Sequence, residues 1–225
     1  MKSDKPRTKP FQWQVPITLF LLGCAVAGFL WVFLASPTET VTLDLQEVRV
    51  PLDEDQYALL QEPYQIKITS PRRVKAGKIF GYTFSLVPSI QPVNITAQDV
   101  NVYSFYQVNL ILKPDFENVT INPPGSMTTA LLPDQEPKML WKMEAVGKEP
   151  VTGIFWAYLD FIPLEPESEA FSTAVLARRE EIPVQSILGL NTNGVAILST
   201  AFSIIAIFLG IPQLPVFRKA SDAKS

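Results

Sequence analysis

Pro16–Ser36 reads PITLFLLGCAVAGFLWVFLAS, twenty-one residues without a charge near the start of the chain. A hydrocarbon core of about 30 Å is crossed by roughly 20 apolar helical residues, so this stretch has the length of a retained transmembrane helix. Trp13 and Trp31 stand where interfacial aromatics belong. A cleaved secretory signal is the first rival, since Lys2, Lys5, Arg7 and Lys9 form a basic leader. Its apolar region is usually shorter, about 7–15 residues, and ends in a small-residue cleavage site. A cut after Ser36 would instead leave Leu34 and Pro37 around the scissile bond.

The second rival is lipidation. Leu21-Leu22-Gly23-Cys24 is similar to a bacterial lipobox, and Cys24 is the only cysteine. An acylated Cys is normally followed by a polar tether, whereas Ala25–Ala35 stays apolar. The bland alternative is a small residue packed inside a membrane helix.

Working outward, a second uncharged stretch covers Ser186–Val216, densest in apolar residues over Gly194–Ile211. Two spans account for 47% hydrophobic residues and a mean hydropathy of +0.16 in a chain of 225 residues. Residues 1–15 carry four Lys/Arg against Asp4, and the tail after Val216 carries Arg218, Lys219 and Lys224 against Asp222. Short basic flanks stay in the cytoplasm. The expected layout is a cytoplasmic N-terminus (1–15), a first span (16–36), an outer domain (37–186), a second span (187–216) and a cytoplasmic tail (217–225). This is a two-pass protein of the plasma membrane with both termini inside. The outer segment holds twelve Lys/Arg against twenty Asp/Glu, a net of −8, which makes nucleic acid an unfavourable partner.

The outer segment reads as all-β. Val41, Leu43 and Leu45 alternate with Thr42, Asp44 and Gln46 in Thr40–Val50, and similar short runs follow at Tyr64–Thr69, Ile79–Val87 and Val100–Leu112. Asn118–Leu132, Lys138–Val146, Val151–Ile162 and Phe171–Arg179 continue the series, broken by fifteen prolines and without a 3.6-residue period. An extended segment, then Pro71-Arg72-Arg73-Val74-Lys75-Ala76-Gly77, then the aromatic strand Ile79–Val87 resembles the opening of bacterial extracytoplasmic immunoglobulin-like sandwiches. That resemblance implies a fold, an all-β immunoglobulin-like sandwich between two transmembrane α-helices, and no functional residue. The inter-sheet cysteines of antibody domains are missing. Both ends of such a domain must return to one membrane face, so Thr40–Val50 is expected to pair with the sandwich as an added strand.

Ala196, Ser199, Ser203, Ala206 and Gly210 recur at steps of three and four, which gathers small residues on one helix face. The first span has Gly23-x-x-x-Ala27. Such seams let two membrane helices approach as a hairpin, or admit a partner helix. Arg72, Arg73, Lys75 and Lys78 concentrate four cations in an acidic domain, either as a solvated turn or as a patch for anionic headgroups or an acidic partner.

Chemistry is sparsely supplied. The chain has no histidine, which removes Ser-His-Asp and Cys-His catalysis, and no phosphate-binding glycine motif. Carboxylates remain at Asp53-Glu54-Asp55, Asp160 with Glu165, and Glu180 with Glu181, without the spacing of a calcium loop. Asn94-Ile95-Thr96 and Asn118-Val119-Thr120 fit the glycosylation pattern. The expectation is a non-enzyme without cofactor or metal: a membrane-anchored interaction module, an accessory or scaffold subunit of a larger membrane complex with a protein partner. A cell-surface receptor or ligand-binding sensor is the alternative.

Overall fold

The computed structural model describes residues 13–45, 47–52, 56–60, 64–89, 99–133, 135–165 and 169–210. The charged tails before Trp13 and after Gly210, the triad Asp53-Glu54-Asp55 and the sequon at Asn94 lie outside them. The chain forms two compact units, Met1–Ala35 with Ile187–Ser225, and Ser36–Ser186.

The first unit is a helical hairpin. Helix α1 spans Gln14–Phe33 and helix α2 spans Thr192–Gly210, with mean hydropathies of 2.2 and 1.9, each long and apolar enough to cross a membrane. The second helix begins only after the Ile187–Leu190 turn, where Asn191 caps it by accepting from the Gly194 N–H at 2.8 Å. A Cβ at Gly28 would collide with the Ser199 hydroxyl and touch Val195, while Gly210 faces Thr18. These contacts set the helices antiparallel, with Ala25, Val195, Ser199 and Ala206 buried between them.

The second unit contains the strands β1 (Thr38–Asp44), β2 (Arg49–Pro51), β3 (Tyr57–Leu59), β4 (Tyr64–Pro71), β5 (Val74–Lys75), β6 (Ile79–Pro88) and β7 (Asp99–Asn101). They are followed by β8 (Tyr106–Glu117), β9 (Val119–Asn122), β10 (Met127–Ala130), β11 (Lys138–Ala145), β12 (Val151–Pro163), β13 (Phe171–Ile182) and β14 (Val184–Gln185). A five-stranded sheet has the order β1-β4-β6-β11-β9 and a four-stranded sheet the order β10-β8-β12-β13. Small accessory sheets, β2-β3-β7 and β14-β5, complete the unit.

Period-2 alternation explains the main strands. In β11, Met139, Trp141, Met143 and Ala145 point inward and the residues between them outward, and β4 does the same with Tyr64, Ile66 and Ile68. The two inner faces meet in one core whose centre is Phe155 of β12. Its ring lies 5.2 Å from Tyr82 and 5.8 Å from Phe84 of β6, and 5.5 Å edge-on from Trp141 of β11. All four side chains are fully buried.

Two expected strands are shorter than their alternation suggests. Thr40–Val50 is not one strand: β1 pairs along β4 from Thr38↔Pro71 to Asp44↔Gln65, and the Leu45 N–H makes the last bond, to Tyr64 O. β4 begins at Tyr64, so the pairing of β1 with it ends there and the chain leads on into β2. Val100–Leu112 is likewise broken, because Asn101 accepts from the Tyr103 N–H and caps a 3-10 turn over Val102–Ser104. The added strand is present, as β1 on the edge of the larger sheet.

Asn118 carries the chain from one sheet to the other. Its φ of 59° lies in the left-handed region that Asn tolerates, between the end of β8 and the start of β9. Its side-chain amide donates to Pro150 O at 3.1 Å, and its carbonyl accepts from the Val146 N–H at 2.8 Å.

Replacing Phe155 by Ala should cost about 3–5 kcal/mol, the range for deleting a core aromatic. Denaturant unfolding followed by tryptophan fluorescence measures it. A loss under about 1 kcal/mol would mean that the centre of the core lies elsewhere.

Candidate functional site

The outward face of the four-stranded sheet is apolar along its central strand. In β12 the inward phase is Phe155, Ala157, Leu159 and Phe161, all fully buried. The other phase, Ile154, Trp156, Tyr158, Asp160 and Ile162, points out and is nearly as apolar. Antiparallel pairing sets the surroundings: Trp156 lies between Lys113 and Ala177, and Tyr158 between Ile111 and Ala174. The alanines on the outer strand leave the rings nothing bulky to pack under on that side.

The Trp156 and Tyr158 rings sit 6.0 Å apart at 18°. Beyond the strand end, the Leu164 N–H donates to Phe105 O at 2.8 Å, and the stripe continues through Ile162, Leu164, Phe105 and Leu132, each 40–59% exposed. Asp160 and its neighbour Asn109 interrupt the stripe between Tyr158 and Ile162, and Lys113 borders Trp156. The strip is a sheet face with an aromatic centre.

Two concave features among the described residues are lined in part by charged side chains. One cavity of about 330 Å³ opens between β1 and β13 and is lined in part by Glu39, Arg72, Arg178, Glu180 and Glu181. The buried Tyr82 hydroxyl donates to Glu180 Oε1 at 3.3 Å, and Arg178 Nε lies 2.6 Å from the same oxygen. Burial first, then the Glu180 charge and the hydrogen bond to it, raise the Tyr82 pKa far above its ordinary value, against an opposing pull from Arg178. A second cavity of about 340 Å³ is lined by Asp115, Glu117, Thr152, Gly153, Ile154 and Arg179. Neither holds a nucleophile and base in contact.

The residues singled out in the sequence fall in different places. Glu180 points inward and Glu181 outward, as neighbours on a strand must, so they form no carboxylate pair. Asp160 belongs to the outer sheet face, and Glu165 is exposed beyond the strand. Among the described residues no group of three His, Cys, Asp or Glu could hold a metal ion.

The small residues divide. Ser199 and Ala206 are buried against α1, Ala196, Ser203 and Gly210 are half-buried, and Ser203 spends its hydroxyl on Ser199 O at 2.9 Å. Gly23 and Ala27 are exposed, with nothing near Gly23, because α1 presents Thr18, Ala25 and Gly28 to its neighbour instead. Cys24 is half-buried.

The four cations also divide. Arg72 pairs with Glu39 at 3.0 Å, Arg73 is exposed, Lys78 is half-exposed and Lys75 is buried. Burial, followed by the charges of Lys78 and Arg73, lowers the Lys75 pKa. The Asn118 amide, committed to Pro150 O, serves the sheet crossing.

The outer aromatic face escaped the sequence reading. Its signal was present in Val151–Ile162, where both phases of an antiparallel strand are apolar although only one can face the core.

No family model matches the chain, and no curated protein matches it. Among solved structures it is similar to a chain of the complex formed between Zinc 2-glycoprotein (ZAG) and Prolactin inducible protein (PIP) from human seminal plasma. Identity is 9%, the TM-score is 0.26, and the alignment covers 64% of this chain and 97% of that one. At that TM-score the likeness carries nothing about function.

Tyr82 gives the folded chain an alkaline limit. The raised folded pKa favours the protonated phenol, so this contribution is intact below the unfolded value near 10 and is lost as pH rises above it. Stability should fall by up to about 1.4 kcal/mol per pH unit there, and Tyr82→Phe should remove that part of the slope. Denaturant midpoints of both proteins between pH 8 and about 11 measure the difference. In the hairpin, Gly28→Leu should reduce disulfide formation between Thr18→Cys and Gly210→Cys several-fold in a Cys24→Ser background. Ala27→Leu should leave it unchanged.

Proposed function

We propose that this chain is a membrane-anchored, non-catalytic interaction module, an accessory or scaffold subunit of a larger membrane complex, whose sandwich is of the immunoglobulin-like type. Strand order supports the fold assignment. Taking β4, β6, β8, β9, β11, β12 and β13 as seven successive strands, one sheet runs first-second-fifth-fourth and the other third-sixth-seventh, with β1 and β10 added at the edges. Phe155 against Tyr82 and Phe84 joins the second and sixth strands, the pair that a disulfide joins in antibody domains.

The observation that carries the function is the outer strip through Ile154, Trp156, Tyr158, Ile162 and Leu164. Aromatic anchors on a flat face with a polar edge are what protein interfaces use, and an antiparallel sheet facing only water would be polar there. The basic termini and acidic middle of the sequence favour an outer domain with both ends in the cytoplasm.

A receptor or ligand-sensing role is the second reading, favoured by the charged cavity around Glu180 and Arg178. It would place a small polar ligand between β1 and β13.

The full chain solubilised in mild detergent from its native membranes should sediment as a complex. Trp156→Ala with Tyr158→Ala should weaken that complex at least about thirty-fold, as losing a contact of about 2 kcal/mol or more does, without lowering the thermal midpoint. A wild-type chain that sediments alone as a monomer would sink the proposal.

A further inference from the structure

The turn between β4 and β6 ties together both ends of the sandwich. The Arg72 N–H donates to Pro37 O at 2.9 Å, the Val74 N–H to Pro183 O at 3.0 Å and the Ala76 N–H to Gln185 O at 3.0 Å. β5 pairs in parallel with β14, Val74 beside Val184 and Lys75 beside Gln185. Pro37 is the fourth residue after α1 and Gln185 the seventh before α2. By covalent length alone, those links reach at most about 14 and 25 Å. The turn is thus bonded to residues that lie a few positions from each of the two apolar helices.

The composition of the turn suits that position. Lys75 is buried behind the surface, Arg72, which meets Glu39, and Arg73 are exposed, and Lys78 is half-exposed. Beside them stand two bare aliphatic side chains, Ile79 at 62% and Val146 at 59% exposure. They are neighbours across the sheet, since Ile79 pairs with Glu144 and the Gly77 N–H donates to Ala145 O. Cations next to exposed aliphatics have the character of a membrane-interface surface, in which charges meet headgroups and apolar groups enter the acyl boundary. Arg73 and Lys78 also crowd Lys75. An anion at the surface relieves that repulsion.

We propose that Arg73 and Lys78, flanked by Ile79 and Val146, form a contact site for anionic phospholipid at the bilayer surface, with the lipid phosphate as the recognised group. The site seats the domain against its own membrane. It is independent of the protein-docking face on β12 and would stand if that face had no partner.

The test uses the full chain in detergent with an equal mixture of phosphatidylglycerol and phosphatidylcholine, and native mass spectrometry counts the retained lipids. The wild type should prefer phosphatidylglycerol, and R73E/K78E should reduce the preference about tenfold or more, with R73Q/K78Q intermediate. I79S/V146S should reduce retention of both lipids. K67E/K138E is the charge-matched control, altering Lys67 and Lys138, which flank Ser85 about six residues up the sheet from Ile79, or about 20 Å. It should leave the preference intact. An unchanged preference in both the Glu and the Gln pair, or an equal loss in K67E/K138E, would overturn the proposal. So would displacement of phosphatidylglycerol by inorganic phosphate at equal concentration, which would mark a site for a free anion.

Discussion

The sandwich is closed without a cross-link between its sheets. The one cysteine of the chain lies in α1, so no covalent bond can link the two sheets, and Phe155 takes that place. It meets Tyr82, Phe84 and Trp141 from across the interlayer, and these four rings are among the five largest fully buried side chains of the described residues. A disulfide acts mainly by restricting the unfolded chain, whereas an aromatic cluster acts through the area it removes from water. The aromatic solution does not depend on an oxidising compartment. It does depend on packing, because a cluster without a cross-link loses its hold as soon as one ring is truncated.

Around that core the chain solves a second problem, returning both ends of the sandwich to one place. β1 climbs beside β4, and the accessory strands β2 and β3 lead back down into β4. The turn after β4 is then bonded to Pro37 on one side and to Pro183 and Gln185 on the other. The two connectors are thereby held by backbone hydrogen bonds, not left as free stalks.

The open side of the sandwich, between β1 and β13, is sealed by polar groups. Tyr82 belongs to the core by its ring, and its hydroxyl reaches Glu180, itself paired with Arg178 two residues back on the same strand face. The Tyr82 hydroxyl and the Glu180 carboxylate thus satisfy each other away from water, as low-dielectric surroundings require. Charged side chains along β13, together with the register shift opposite Ala157, also blunt an outer strand that could otherwise pair with another chain. The exposed apolar area is therefore on the sheet face and not along its edge.

Several features were settled by local sequence. Uncharged runs of membrane-spanning length and period-2 alternation are properties of neighbouring residues, so the two helices and most strands could be read from spacing, including the β character of Tyr64–Thr69, Ile79–Val87 and Lys138–Val146. Where a strand ends was not local. β1 stops because β4 begins at Tyr64, a residue twenty positions after Asp44. Which small residues of α1 meet α2 was also invisible, since Gly23, Ala27 and Gly28 are alike in composition and only the helix rotation selects Gly28. The four cations of the Arg72–Lys78 turn form one group in the sequence, but pairing, burial and exposure give them different roles. Trp156 shows the division most clearly: alternation places it opposite in phase to Phe155, but only the stacking of β12 over β6 and β11 decides which phase becomes core and which faces outward.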